Sequence, residues 1–152
     1  MKNVTIESVY VIEVFTKTTN QNRQAAKDIP ALWQRFMKEE TGLKLTNKID
    51  NEIICAYLEY EGDHMAPYTC VVGYKVPNLE NIPKGMKGIT IPGGNYSKFL
   101  AKGDLTGKAL WDVWMSIWTS DLDRTYHVDF ELYGDKTYPI ENGEADVFIG
   151  VK

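Results

Sequence analysis

From Val4 to Phe15 polar and apolar residues alternate. That pattern predicts a strand with Val11, Glu13 and Phe15 on one side and Tyr10, Ile12 and Val14 on the other. After the polar run "TKTTNQNRQAAK" the period changes. Ile29, Leu32, Trp33, Phe36 and Met37 recur at helical spacing, with Asp28 as a plausible N-cap, Pro30 in the first turn and Gly42 as the stop signal. Two strands are expected next, Ile53 to Glu61 and Tyr68 to Val76, joined by the turn-rich "GDHMAP". The segment "PNLENIPKGMKG" reads as a connection between two halves. The pattern then restarts: a strand pair or bent strand in "GITIPGGNYSKFLAKG", a helix from about Leu105 to Thr119, and strands Tyr126 to Tyr133 and Ala145 to Val151.

The halves share more than element order. Ala31-Leu32-Trp33 returns as Ala109-Leu110-Trp111, "YLEYEGD" at Tyr57 to Asp63 resembles "DFELYGD" at Asp129 to Asp135, and "VGYK" at Val72 echoes "IGVK" at Ile149. These matches fall in the same order, which predicts one α+β domain over residues 1–152 built from tandem β-α-β-β repeats, 1–80 and 86–152. Such a unit places two helices on one face of a combined antiparallel sheet. The opposite face and a central seam between the halves are then open for a ligand.

Composition narrows the function classes. The 152 residues can bury roughly 70% of the surface their unfolded chain exposes. Four Trp and nine Tyr exceed ordinary usage and point to a large core, a pocket or an interface. A net charge of −4 without clustered Lys or Arg argues against nucleic-acid binding. No apolar run approaches the ~20 residues that cross a bilayer, and no signal-peptide core opens the chain, so a cytoplasmic protein without a membrane partner is expected. The two cysteines, Cys55 and Cys70, read as buried reduced thiols on successive strands rather than a metal site. No cofactor or metal is expected.

Candidate chemistry concentrates in two places. On the second helix Leu110, Val113, Trp114 and Ile117 satisfy one core stripe, while Trp111, Met115 and Trp118 widen it. Trp111 and Trp118 are therefore read as pocket wall or interface, and Trp114 as core or pocket equally. On the strand "YHVDFELY", Tyr126, Val128, Phe130 and Leu132 share the face assigned to the helices; His127, Asp129, Glu131 and Tyr133 share the other. By periodicity alone Glu131 faces solvent. The duplicate strand, however, presents Cys55, Tyr57, Glu59 and Glu61 on its matching face, so two aromatic and acidic faces approach one seam. Ring faces there attract a lipophilic cation by about 0.5–2 kcal/mol each, and a carboxylate neutralises it. "PGG" at Pro92 to Gly94 is a turn and not a phosphate loop, and His64 and His127 are isolated.

"IPGGNYSKF", the Trp-rich helix, "DFELYGD" and the closing "ADVFIGVK" together resemble the GyrI-like small-molecule-binding domain, the effector-binding domain of AraC-type and MerR-type regulators. "IPALWQRF" and "AYLEYEGD" are similar to its N-terminal repeat. The resemblance implies a tandem β-α-β-β (SHS2-like) fold with a cleft between repeats. It implies Glu131 in that cleft, among Trp33, Trp111, Tyr57, Tyr68, Tyr96 and Tyr133. Because the DNA-binding domain of those regulators has no counterpart here, a stand-alone member is expected, binding hydrophobic, often cationic, aromatic compounds for sensing or sequestration. Some stand-alone members hydrolyse cyclopropane-bearing DNA alkylators, a reading in which Glu131 is catalytic. A protein-binding role, such as inhibiting a topoisomerase, is a third reading, and the rim segment "GDKTYPIENGEA" departs from the usual form.

Overall fold

Alternating apolar residues form eight strands, and the computed structural model, which describes residues 2–152, joins them in one antiparallel sheet. They are β1 (Lys2–Ile6), β2 (Val9–Thr18), β3 (Ile53–Leu58), β4 (Tyr68–Val76), β5 (Lys87–Ile91), β6 (Gly94–Gly103), β7 (Arg124–Tyr133) and β8 (Gly143–Val151). The helices are α1 (Gln24–Lys38), the single turn α2 (Thr41–Lys44) and α3 (Lys108–Trp118). Across the sheet the order is β1-β6-β8-β7-β3-β4-β2-β5. Strand, helix, strand, strand occurs twice, as β2-α1-β3-β4 and β6-α3-β7-β8. The two units meet where β3 pairs with β7, Cys55 opposite Glu131 and Tyr57 opposite Asp129.

The edge strands are exchanged between the units: β1 pairs with β6, and β5 pairs with β2. The single strand expected from Val4 to Phe15 is accordingly two strands, parted at Glu7 and Ser8, because its first part crosses to the other unit. The crossing grazes Gly93, where a β-carbon would lie 2.8 Å from the Ser8 nitrogen and 2.9 Å from the Ile6 carbonyl oxygen. Only glycine fits that approach.

The first helix also differs from its expected limits. It begins at Gln24, ahead of Asp28, and Pro30 lies inside it. Left-handed Asn22 and Arg23 (φ 55° and 58°) turn the chain into the helix, a backbone event that no apolar period records. Asp28 accepts a hydrogen bond from the Gln24 side chain at 3.1 Å and is not the N-cap. Left-handed Glu40 (φ 51°) ends the run, and Gly42 falls within α2. The Phe36 carbonyl left over at the helix end accepts the Thr41 hydroxyl at 3.1 Å. Leu105 precedes α3 in a turn where Asp104 accepts from the Thr106 backbone and hydroxyl.

Both faces of the sheet are apolar. On one, Val14, Ile53, Cys55, Cys70 and Val72 pack against Leu32 and Phe36 of α1, and Ala101, Val147 and Ile149 against Leu110 and Val113 of α3. On the other, Val11, Ile54, Ala56, Val71, Ile91, Tyr96, Val128, Phe130 and Phe148 form a core of strand residues alone. Ile91 belongs to one edge of the sheet and Tyr96 to the strand next to the other edge, so the twisted sheet curls until its ends share one core. This reverses the expected faces of β7. Val128 and Phe130 lie inside the curl, and Asp129, Glu131 and Tyr133 face the helices. Period two shows which residues share a face, not which face the helices take.

Candidate functional site

α1 packs chiefly over β2 and β4, and α3 over β6, which leaves a gap between the helices above the central strands β3 and β7. A cleft of about 820 Å³ opens there. Tyr57, Glu131 and Tyr133 form its floor, with Trp33 on one wall and Trp111, Trp114 and Trp118 on the other. The rings meet edge to face: Trp33 on Tyr133 at 5.1 Å, Tyr57 on Trp114 at 5.3 Å and Tyr57 on Tyr68 at 5.9 Å. At one end His64 stacks on Trp118 at 5.6 Å, its carbonyl held by the Asn20 amide at 2.6 Å. The first unit's β3–β4 loop thereby touches the second unit's helix.

Glu131 is 3% exposed. Its carboxylate accepts from the Tyr57 hydroxyl at 3.0 Å, the Trp114 indole N–H at 2.7 Å and the Tyr133 hydroxyl at 2.5 Å. Burial pushes its pKa above the usual carboxylate range, and the three donors pull against that shift. All three donors are neutral. Burial also raises the Tyr57 and Tyr133 phenols well above their ordinary range, and the neighbouring carboxylate adds to it, so they remain donors. Among the described residues no Lys, Arg or His forms an ion pair with Glu131.

Beneath the floor, the Cys55 and Cys70 sulfurs lie 3.8 Å apart, both buried and unbridged, as the sequence led us to expect. Burial raises the Cys55 thiol far above its ordinary range and keeps it protonated.

A second carboxylate shares this strand face. Asp129 is 0% exposed and accepts from Arg124 Nη2 at 2.7 Å, the Tyr60 hydroxyl at 2.6 Å and the Gly150 backbone N–H at 2.9 Å.

Of the residues singled out in the sequence, the cleft gathers Glu131, Trp33, Trp111, Tyr57, Tyr68 and Tyr133. Tyr96 is not among them. It lies on the inner face of the curl against Phe130 and donates to the Pro92 carbonyl at 2.8 Å. Glu59 also departs from the seam. Its left-handed backbone (φ 54°) ends β3 at Leu58, and its carboxylate accepts from Thr69 at 2.7 Å. Tyr60 takes the place on the cleft side. Tyr126, at the same end of the β3–β7 pair, is left-handed too (φ 51°).

Sequence reading missed Tyr60, His64, Met65, Arg124 and Tyr138 as lining residues and left Trp114 undecided. The spacing of Trp111, Trp114 and Trp118 was the available signal, since i, i+3 and i+7 form one helix stripe. The rim segment folds into two short 3₁₀ turns, Asp135–Thr137 and Ile140–Asn142, with Thr137, Tyr138 and Ile140 on the cleft edge. Among the described residues no group of three or more His, Cys, Asp or Glu is placed to hold a metal ion, and no helix is long and apolar enough to cross a membrane.

A curled antiparallel sheet whose two helices flank a central aromatic cleft defines the class of GyrI-like effector-binding domains. The chain belongs to the Cass2 family of integron-associated effector binding proteins, whose model matches residues 4–151. It is 27% identical over 127 residues to YobU of Bacillus subtilis (strain 168), covering 82% of this chain and 79% of that protein, whose name assigns it provisionally to the transcriptional regulators. Two solved structures share the fold. One is SAV2435 bound to tetraphenylphosphonium (22% identity, TM-score 0.78, 99% of this chain and 93% of that one). The other is an integron cassette protein from the mobile metagenome of Vibrio cholerae (24% identity, TM-score 0.76, 99% and 95%).

Proposed function

We propose that the cleft binds hydrophobic aromatic cations, and that the protein senses or sequesters such compounds. The observation that carries this reading is Glu131: a carboxylate withdrawn from water, held by three neutral donors, and without a counter-ion among the described residues, inside a shell of Trp and Tyr rings. A buried charge of one sign is costly unless something neutralises it. A cation with delocalised charge loses little hydration on entering, stacks on the rings and supplies the missing charge. Tetraphenylphosphonium, which a protein of the same fold binds, has this chemistry.

The test is a fluorescence titration with a cationic rhodamine ester and an uncharged analogue of similar shape. Glu131→Gln is expected to weaken the cationic dye about 10- to 100-fold and the neutral one less than twofold. Equal affinity of parent and variant for the cationic dye overturns the assignment.

A second reading draws on the raised pKa of Glu131 beside the Tyr133 hydroxyl, a pairing suited to proton transfer in hydrolysis of a strained ring. Incubation with a cyclopropane-bearing alkylator, followed by mass spectrometry, separates the two. Turnover abolished by Glu131→Gln supports hydrolysis, and stoichiometric protection without product supports binding alone.

A further inference from the structure

Arg124 lines the same cleft and is 7% exposed. One of its nitrogens, Nη2, donates to Asp129 at 2.7 Å, while Nε and Nη1 are both out of water and have no hydrogen-bond partner among the described residues. The Tyr126 ring lies 4.3 Å from the guanidinium carbon and offers a π face only. Asp129 is already engaged by Tyr60 and the Gly150 amide. A guanidinium that keeps two donors buried without acceptors has lost its hydration and regained only part of it. An acceptor on a ligand that shifts the side chains covering these nitrogens restores the rest by a charge-assisted bond.

The position suits a ligand that also reaches Glu131. Asp129 and Glu131 share one face of β7, and residues i and i+2 of a strand stand about 7 Å apart. The guanidinium held by Asp129 and the Glu131 carboxylate therefore fall within the span of one fused aromatic skeleton.

We infer that Arg124 forms a second, acceptor-reading subsite, and that the cleft selects aromatic cations bearing a carbonyl oxygen over those without one. This deepens the reading of Glu131 as the cation site and rests on it. The cation settles at Glu131, and the carbonyl accepts from Nε or Nη1 of Arg124.

Two dyes of equal charge isolate the effect: tetramethylrosamine, and tetramethylrhodamine methyl ester, which adds one ortho methoxycarbonyl group to the same skeleton. The parent is expected to bind the ester about tenfold more tightly. Arg124→Lys keeps a cation for Asp129 and removes the planar donors, and it is expected to shrink that preference to within about twofold. Equal or weaker binding of the ester by the parent overturns the inference, as does a preference that survives in Arg124→Lys. Should that variant not fold, Arg124→Met with Asp129→Asn removes the donors and both charges together, and the same loss of preference is expected. If neither dye binds the parent, the cation site itself has failed. If the rosamine binds but the ester gains nothing, only the Arg124 subsite has.

Discussion

Asp129 and Glu131 are two residues apart on one face of β7, equally removed from water, and differ in what balances their charge. Asp129 has Arg124 at 2.7 Å and a backbone N–H, so its charge is settled inside the fold. Glu131 has two phenols and an indole, so its charge is solvated by dipoles but not cancelled. A buried ion with an internal partner holds structure together; one without it is poised for a partner from outside. Burial alone does not tell the two apart.

The largest expected effect breaks the internally balanced member. Asp129→Asn leaves Arg124 buried without its carboxylate and should cost about 3–5 kcal/mol in urea unfolding. Removing both charges, with Arg124→Met added, should recover most of that loss. Glu131→Gln takes away a charge that had no ionic partner and should stay within about 1 kcal/mol of the parent. Equal destabilisation by Asp129→Asn and Glu131→Gln would erase the distinction.

A third buried carboxyl extends the comparison. Glu13 is 1% exposed on the inner face of the curl, opposite Gly73 and Lys87, and its Oε2 has no hydrogen-bond partner. Burial pushes its pKa up to about 7, against the pull of Lys87 and with reinforcement from Glu59. Because the folded pKa is raised, the folded state holds the proton more tightly than the unfolded chain. The associated stability is present below about pH 4.5 and is lost as pH rises through about 7. Unfolding free energies from urea titrations at pH 5 and pH 8 should differ by about 2–3 kcal/mol in the parent on this account, with Glu13→Gln removing most of the difference. A parent that is no less stable at pH 8 than at pH 5, or a Glu13→Gln variant that keeps the difference, contradicts it.

The smallest effect sharpens the role of the neutral donors. Trp114→Phe removes one hydrogen bond to Glu131, and with it a contribution that holds the carboxyl's pKa down. Cation binding needs the ionised carboxylate, so affinity rises with pH through the Glu131 pKa. The variant's midpoint in a dye-binding pH titration should move upward. Trp118→Phe, whose indole donates to no carboxylate, should leave the midpoint in place.

Much of the fold was legible in the chain. Period two located β4, β7 and β8 nearly to their ends, period 3.6 located both long helices, and the repeated "ALW" and "EYEGD"-like segments announced the doubled unit. The places where reading failed share a cause. Left-handed Arg23, Glu40, Glu59 and Tyr126 change the chain's direction without altering its hydrophobic period, and they moved a helix start, a helix end and one glutamate's side of the sheet.

The chain by itself determined which residues travel together: Glu131 with Tyr133 and Asp129, Val128 with Phe130, and Trp111 with Trp114 and Trp118. That follows from local geometry, since the spacing of side chains along a strand or helix is set by the backbone alone. Which of those sets meets the helices, and which is sealed inside the curl, was decided by tertiary structure. Sheet curvature, the exchange of edge strands and the gap between α1 and α3 arise from contacts between residues far apart in sequence. The same nonlocal packing gave Asp129 its arginine and left Glu131 without a cation.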